Sequence, residues 1–378
     1  MQLRNTKYAP KGRFTLDEKI LALSLYKQSG SCYKLLSKLF VLPSATTLKC
    51  LLRTISLQPG INKFIFEHLR QHIAQMKNET DKLCILMWDE MSLEANLQYD
   101  QLNDRIIGFE DWGHRRTSLI ADHVLVFMLI RCIKEIIKEL SEAGLTIIAT
   151  VCDQGGPNMT SIKKLLEDSR SKCIQKGQEY RGFIELFGQN IVPIYDPPHL
   201  LKGICNNLLL KNLEINATNS GKKERQFASW DIIDQMKVKC AAQIFSARLS
   251  AYIEYNSKIK GGFIETQIGP LQIPKAGYDT AIVLDFFNKV FDSVNAHTLH
   301  PETPLRVAVT KNSKHHDFWP HATKLLSDMR YVDPNTKQPV KCIPSLKNWI
   351  FTLRGFQNIW KIVDNAGIKF LKILIKIH

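Results

Sequence analysis

The chain has 378 residues, of which 44% are hydrophobic and 23% charged, so it is long enough for two or three domains with a sizeable core and is not a disordered chain. Lysine and arginine number 51 against 36 aspartates and glutamates, which gives a net charge of +15. This excess favours a polyanionic partner, nucleic acid before membrane. A basic protein without such a partner remains the alternative.

Cysteine usage and apolar segments bear on the compartment. The nine cysteines include no C-x-x-C pair, which predicts free thiols in a reducing compartment. The N-terminus has no apolar segment typical of a signal peptide. The most apolar stretch, Val124–Ile137, contains Arg131 and Lys134 and is too short and too charged to span a bilayer. We therefore expect a soluble, intracellular protein.

Three short helices are predicted near the N-terminus. Thr15 and Glu18 form a T-x-x-E capping box, which predicts that the first helix begins after Thr15. Two further helices are predicted over 32–40 and 46–55. Helices of this length with short turns suit a helix-turn-helix unit, and a plain three-helix interaction module fits the composition equally well. The basic residues expected to contact DNA are Lys34, Lys38, Lys49 and Arg53.

An alternation of strands and helices follows a helix predicted over 61–77. His68 and His72 on that helix have no acidic or sulfur partner nearby in the sequence, so we interpret them as a surface pair rather than metal ligands. The pattern predicts a mixed sheet with helices on its faces. The predicted strands are 83–89, 104–109, 119–130, 145–153 and 190–195, and the predicted helices are 131–143, 158–173 and 199–210.

The last part of the chain is predicted to be mainly helical. Residues 211–229 are polar and basic and are interpreted as a linker. Loops rich in glycine and proline separate the segments that follow. The predicted helices are 236–254, 277–295, 317–330 and 345–361.

Two acids stand at the exposed ends of apolar runs. Asp89 follows such a run in CILMWDEM, and Asp153 does so in IIATVCDQG. Two carboxylates on adjacent strands repel one another unless a cation lies between them, and hard oxygen ligands suit Mg²⁺ or Mn²⁺. The pattern therefore favours a two-metal phosphoryl-transfer site. The alternative is that each aspartate is a helix cap or a turn former.

A third acid, Asp196, ends the next predicted strand in DPPH. It is either a third acidic group near the first two or an Asx cap of the following helix. His199 and Lys202 on that helix are candidates for contact with a phosphate. The chain contains no GxxxxGK[ST] motif for a P-loop nucleotide site and no zinc-ligand spacing.

Several segments, taken in order, resemble the P-element type of DNA transposase, the group that includes the THAP-domain transposases. The resemblance runs from about residue 14 to about residue 353. Its segments are FTLDEKILALSLYKQSGSCYKLLSKLFVLPSATTL, IIGFEDWG, ADHVLVFML, ATVCDQGGPN, YDPPHLLKGICNNL, MKVKCAAQIFSARL and FFNKVFDSVNA.

The resemblance implies an α/β protein with four parts. Residues 11–56 correspond to an N-terminal helix-turn-helix domain, and residues 60–210 to an RNase H-like mixed sheet with flanking helices. Residues 211–345 correspond to a mainly helical insertion domain, which binds GTP in the family. Residues 346–378 form a truncated C-terminal segment.

The resemblance also implies a function. Asp89 and Asp153 fall on the first and second metal-binding acids of the family's DDE-type catalytic site, which uses Mg²⁺ or Mn²⁺ to cleave and transfer DNA strands. DNA is the expected partner, the nucleus the expected location, and a homo-oligomer is compatible with it.

Departures from the family pattern qualify that expectation. The family's third acid is a glutamate in a motif close to NQDxxENFF, which this sequence lacks, and no zinc-binding THAP module precedes the matched part. A sheet strand expected before the helix 131–143 is also missing. We therefore expect a truncated transposase relative without activity. The alternatives are a domesticated DNA- or protein-binding module without enzymatic activity and, less favoured, a GTP-binding protein without DNA activity.

Overall fold

The computed structural model describes 14–53, 60–89, 96–101, 104–111, 116–120, 126–219, 222–228, 238–258, 262–266, 269–272, 276–296, 303–341 and 343–373. The chain divides into two compact units. The first comprises Met1–Asn62 and Glu110–Ser118, and the second comprises Lys63–Phe109 and Leu119–His378.

The secondary structure of the described residues is as follows. The helices are α1 (Leu16–Gln28), α2 (Gly30–Leu39), α3 (Ala45–Arg53), α4 (Lys63–Ala74), α5 (Val126–Glu142), α6 (Gly156–Gln175), α7 (Pro197–Leu208), α8 (Val238–Ile244), α9 (Ala247–Lys258), α10 (Ala276–Ser293), α11 (His315–Asp328) and α12 (Ser345–Asn365). The strands are β1 (Leu83–Met87), β2 (Gln98–Asp100), β3 (Arg105–Ile107), β4 (Phe109–Asp111), β5 (Arg116–Ile120), β6 (Thr146–Cys152), β7 (Ile184–Leu186), β8 (Gln189–Tyr195), β9 (Asn212–Asn219), β10 (Lys222–Ala228), β11 (Phe263–Thr266), β12 (Gly269–Gln272) and β13 (Met329–Val332).

The first unit is built on helices α1 to α3. The predicted capping box is present: the Glu18 backbone N–H donates to Thr15 Oγ1 at 3.2 Å, and the Thr15 N–H donates to Glu18 Oε2 at 2.8 Å. Ala22, Tyr33 and Leu48, one from each helix, form a small buried core. Each of the three helices thus contributes one buried side chain to this core.

The second unit contains a four-stranded sheet in the order β1-β6-β8-β7. Strands β1, β6 and β8 are parallel, whereas β7 is antiparallel to β8, so the sheet is mixed as predicted. Strands β6 and β8 consist largely of buried residues, the pattern of a sheet covered on both faces. Helix α5 packs against β6 and helix α12 packs against β8.

One predicted strand, 119–130, is wrong in its second half. Strand β5 ends at Ile120, and α5 begins at Val126. The run is rich in apolar and β-branched residues, which favours a strand when read alone. Its continuation, however, buries Ile130, Ile133 and Ile137 on one face, and that helical spacing against the sheet decides the outcome.

The predicted linker 211–229 is also wrong, because it contains strands β9 and β10. They pair antiparallel, and β9 pairs on its other side with β13. Leu213 is completely buried opposite Tyr331. The buried Glu214 carboxylate forms an ion pair with Arg330, so a charged residue in this strand does not indicate a solvated loop.

Two smaller differences lie in the predicted helical part. The segment Gly261–Pro274, taken as a loop, contains the antiparallel pair β11–β12. The predicted helix 236–254 is two helices, α8 and α9, that are separated at Phe245–Ser246. Among the helices described here, none combines the length and the apolar character needed to span a lipid bilayer.

Strand β1 lies at one edge of the four-stranded sheet. In the described ranges it pairs with β6 alone, and β2 pairs with β3 in a separate two-stranded sheet. Ile85 and Met87 on β1 are 44% and 70% exposed.

Candidate functional site

Asp89 and Asp153 follow two neighbouring parallel strands at the same level. The register pairs Met87 of β1 with Val151 of β6, and the Trp88 N–H continues the ladder by donating to the Val151 carbonyl at 3.1 Å. Two residues beyond each paired position, the chain reaches Asp89 and Asp153. Because the strands are parallel, both acids lie at the carboxyl edge of the sheet, as the sequence predicts.

Asp196 extends this row to a third strand. Cys152 of β6 is in register with Tyr195 of β8, and the Asp196 N–H donates to the Cys152 carbonyl at 2.8 Å. Its side chain also caps α7, accepting from the His199 N–H at 3.4 Å. The two interpretations of Asp196, a third acid at the edge and an Asx cap, therefore both apply.

The Asp153 carboxylate is held by its own loop and by α6. Its Oδ1 accepts from the Gly155 N–H at 2.9 Å and from Asn158 Nδ2 at 2.6 Å. The Asn158 side chain, which is completely buried, accepts in turn from Trp88 Nε1 at 3.3 Å. Among the described residues, these bonds all go to Oδ1. The carboxylate is thus oriented while Oδ2 is left for a ligand.

All three acids raise the pKa of His199. Its Nδ1 lies 2.7 Å from Asp196 Oδ2, and that hydrogen bond raises the pKa of His199. Partial burial acts in the opposite direction, and the negative charges of Asp196, Asp153 and Asp89 raise the pKa further. The edge is therefore acidic enough to favour a cationic imidazole.

Gln154, next to Asp153, connects the acidic edge to two helices. Its Nε2 donates to the His199 carbonyl on α7 at 2.9 Å, and its Oε1 accepts from Asn348 Nδ2 on α12 at 3.3 Å. Gly203 on α7 makes room for it, since a Cβ there would lie 2.3 Å from Gln154 Nε2. The loop that carries Asp153 is therefore held from both sides.

The donor set fits a hard divalent cation. Asp89 is exposed, and Asp153 presents an oxygen without a bond from the described residues. Mg²⁺ is commonly bound by one or two carboxylates and keeps several waters. Within the described parts of the chain, no group of three or more His, Cys, Asp or Glu side chains is arranged to hold a metal ion.

The other predicted site residues lie on helices. Lys34 and Lys38 are exposed on α2, and Lys49 and Arg53 are exposed on α3, all in the first unit. Their role in DNA binding stays a prediction. In the second unit, the His68 and His72 rings meet edge to face on α4, with centroids 4.8 Å apart.

Sequence reasoning missed the residues that support the acids. Asn158 stands at the start of a predicted helix, where its type would equally suit an ordinary cap. Trp88 is hidden in an apolar run. Asn348 contacts Gln154 across 194 residues of sequence, and nothing local to either residue indicates that contact.

The mixed sheet of this part of the chain, with helices packed against it, agrees with the RNase H-like fold that the sequence resemblance implies. A family model described as TNP-like, RNase H N-terminal domain, matches residues 57–133, which include β1 and Asp89.

Two curated DNA transposases are similar to this chain in sequence. The chain is 20% identical over 338 residues to the DNA transposase THAP9 of Homo sapiens, covering 76% of this chain and 35% of that protein. It is 25% identical over 228 residues to the Transposable element P transposase of Drosophila melanogaster, covering 57% of this chain and 29% of that protein. It thus spans about a third of the length of these curated relatives.

The fold is similar to that in a solved structure titled Drosophila P element transposase strand transfer complex. The TM-score is 0.66 at 18% identity, over 96% of this chain and 83% of that chain. The chain is thus similar in sequence to two P-element-type transposases and in fold to a solved structure of one, in agreement with the resemblance found in the sequence.

Proposed function

We propose that this chain carries the metal-binding acids of a P-element-type DNA transposase, with Asp89 and Asp153 as the ligands of Mg²⁺ or Mn²⁺. The observation that carries the proposal is the register of β1 and β6, which brings both acids to one level of one sheet edge. The similarity to transposases supports divalent metal use in general. The assignment of the ion to these two side chains is the proposal.

The chemistry would rest on the charges at this edge. A divalent cation bound there would neutralise the negative charge that develops on a reacting phosphodiester. Asn158 and the Gly155 N–H hold Asp153 Oδ1, so the carboxylate is kept in one orientation in which Oδ2 would be the metal ligand. The pKa of His199 is raised by its bond to Asp196, which favours the protonated imidazole, and in that form the side chain can contact a DNA phosphate.

Metal binding is tested first, without DNA. We expect calorimetry to detect Mn²⁺ binding to residues 1–378 and to lose it in Asp89→Asn and in Asp153→Asn. Asp81→Asn, an exposed acid just before β1, is the matched control and should bind normally. Asn158→Ala should weaken binding by about ten-fold, because partners of metal ligands commonly contribute that much. Equal binding by all variants would refute the assignment.

Cleavage is the second test. Residues 1–378 contain two acids of the DDE-type pattern and no motif for the third. We propose that these residues hold an ion without cleaving DNA, because the family resemblance implies a third catalytic acid, a glutamate, whose motif residues 1–378 lack. Labelled DNA should stay intact with Mg²⁺ or Mn²⁺. Metal-dependent nicking that disappears in Asp89→Asn would contradict the proposed inactivity.

A second candidate function is DNA binding without catalysis, by a domesticated helix-turn-helix module. It is favoured by the exposure of Lys34, Lys38, Lys49 and Arg53 on two helices of one small unit. Affinity for DNA should fall steeply with salt, and replacing one phosphate-contacting lysine by alanine should lower the salt slope by about one. A module that binds only proteins would show no DNA binding at all.

Three further properties are proposed on the resemblance alone. They are GTP binding within residues 211–345, nuclear localisation, and assembly into a homo-oligomer. Saturable binding of guanine nucleotide to residues 1–378 checks the first, and its absence would dismiss it. Imaging of the tagged chain and its mass in solution check the other two.

A further inference from the structure

A cleft of about 460 Å³ opens in the second unit between helices α6 and α12. Its floor is Tyr195, the last residue of β8, whose ring lies 5.5 Å from that of Phe351 between centroids. Tyr180, in the segment between α6 and β7, adds another aromatic wall. A volume of this size is typical of sites for small organic ligands.

Two polar side chains that are mostly buried line the cleft. Tyr195 is 7% exposed, and its hydroxyl is not among the fully buried polar atoms that lack a partner in the described ranges. Asn348 is 8% exposed and uses its Nδ2 to bond Gln154 and Met159, whereas its Oδ1 accepts no bond from those residues. The Tyr195 hydroxyl and Asn348 Oδ1 thus supply hydrogen-bonding groups to the lining of the cleft.

Positive charge surrounds the opening. Lys163 and Arg170 on α6 and Lys347 on α12 line it, together with one carboxylate, Glu167. Lys163 pairs with Glu167 at 3.9 Å. In the described part of the chain, no ion pair engages Arg170 or Lys347. The cleft thus combines an aromatic interior, hydrogen-bonding groups and a rim suited to an anion.

We propose that this cleft binds a nucleobase together with its phosphate. The base would stack against the Tyr180 and Phe351 rings, with its polar edge on the Tyr195 hydroxyl and Asn348 Oδ1 and its phosphate on Arg170 and Lys347. Aromatic rings and flanking cations are the usual elements of sites for unpaired nucleotides. The nucleotide is either free in solution or an unpaired unit of a DNA strand.

This site is independent of metal at the acidic edge. Its lining residues include neither Asp89 nor Asp153, so binding is measured in EDTA with the full 378-residue chain. Failure of metal binding at the edge and failure of nucleotide binding in the cleft are thereby scored in separate experiments.

The test uses two probes and two variants. Mononucleotides are titrated by calorimetry, and a short labelled oligodeoxythymidylate is titrated by fluorescence anisotropy. Tyr195→Phe keeps the ring and removes the hydroxyl, so we expect about five-fold weaker binding. Arg170→Ala should weaken binding by about ten-fold, because it removes a charged donor. Tyr255→Phe on α9 and Lys172→Ala on α6 lie outside the cleft lining and should bind normally.

The outcomes separate the two sources of the ligand. Mononucleotide binding that weakens in both variants supports a free nucleotide, and oligonucleotide binding alone with the same losses supports a DNA strand. Photo-crosslinking of a halogenated pyrimidine oligonucleotide to Tyr180, Tyr195 or Phe351 would support the latter directly. Absence of saturable binding to either probe, or binding that both variants leave unchanged, would overturn the proposal.

Discussion

Tyr195 and Asp196 are consecutive residues, yet they belong to surroundings of opposite charge. Asp196 lies at the acidic sheet edge, where its carboxylate bonds the His199 ring. Asp196 and Asp153 both raise the pKa of that ring. Tyr195 is the floor of a cleft that is rimmed by cations such as Arg170. Because successive side chains of a strand point to opposite faces, one strand end can serve two sites with opposite charge preferences.

Helix α12 is the physical connection between these two regions. Asn348 lines the cleft and also donates to Gln154, which adjoins Asp153. Farther along the same helix, Thr352 Oγ1 accepts from the backbone N–H of Tyr195 at 3.1 Å. Variants of α12 and of the core beneath it therefore test whether the edge and the cleft depend on one another.

The largest expected effect contrasts the histidine of the acidic edge with a histidine of the core. His315 on α11 is completely buried, with Nε2 at 3.0 Å from the Leu305 carbonyl and Nδ1 at 3.1 Å from Ser313 Oγ. Burial lowers the pKa of His315 from 6.5 to about 4. Between these values the unfolded chain binds the extra proton. Stability should therefore be full above pH 6.5 and fall by about 3 kcal/mol as the pH approaches 4.

Urea unfolding at a series of pH values measures this dependence. His315→Gln should remove most of the acid-side loss, whereas His321→Gln, an exposed position on the same helix, should keep it. The pH dependence of stability that is due to His199 has the opposite sign. Because the pKa of His199 is raised, its contribution to the free energy of unfolding is present at low pH and disappears as the pH rises through the folded-state pKa. An unchanged acid-side loss in His315→Gln would refute the assignment.

The next effect concerns the approach of α12 to β8. A Cβ at Gly355 would lie 2.3 Å from Ile194 Cγ2, so Gly355→Ala must displace the helix or the strand. We expect a loss of about 2 kcal/mol, typical of overpacking, measured as a lower urea midpoint. Gly156→Ala is the control, because nothing lies within 4 Å of a Cβ there.

The same variant distinguishes the two regions. Nucleotide binding in the cleft should fall more than Mn²⁺ binding at the edge, since β1 and β6 pair without α12. Equal losses at both sites would mean that the edge and the cleft form one coupled site.

The smallest effect is a matched pair of threonine-to-valine changes. Thr352→Val leaves the buried Tyr195 N–H without its acceptor and should cost about 1 kcal/mol. Thr323 on α11 is also buried, but its hydroxyl has no hydrogen-bond partner. Thr323→Val should therefore be neutral or stabilising in thermal unfolding. A loss in Thr323→Val as large as that in Thr352→Val would contradict the assignment of the bond.

The sequence pattern predicted a feature correctly where the residues that form it are close together in the chain. Thr15 and Glu18 are three residues apart, so their capping box could be predicted and is present. Asp89 and Asp153 each end an apolar run, and parallel strands bring such ends to one edge. That β1 and β6 lie side by side was decided by the sheet, because β2 to β5 stand between them in the chain. The metal and catalytic roles of these acids stay predictions.

Local pattern failed where packing outweighs propensity. The run that begins α5 is apolar enough for a strand, and only its burial against β6 makes it a helix. Leu213 lies in a polar, basic segment, yet its partner Tyr331 gives that segment the structure of a strand.

The sequence by itself indicated the mixed α/β fold and the similarity to transposases, because short windows contain the strand ends, the caps and the ordered segments that resemble them. Only the tertiary structure decided what surrounds the acids. Asn158, Gln154 and Asn348 act through hydrogen bonds between elements, and Tyr195 obtains its cleft from two helices that are distant in the chain. Contacts of this kind depend on how helices pack on the sheet, which no local spacing specifies.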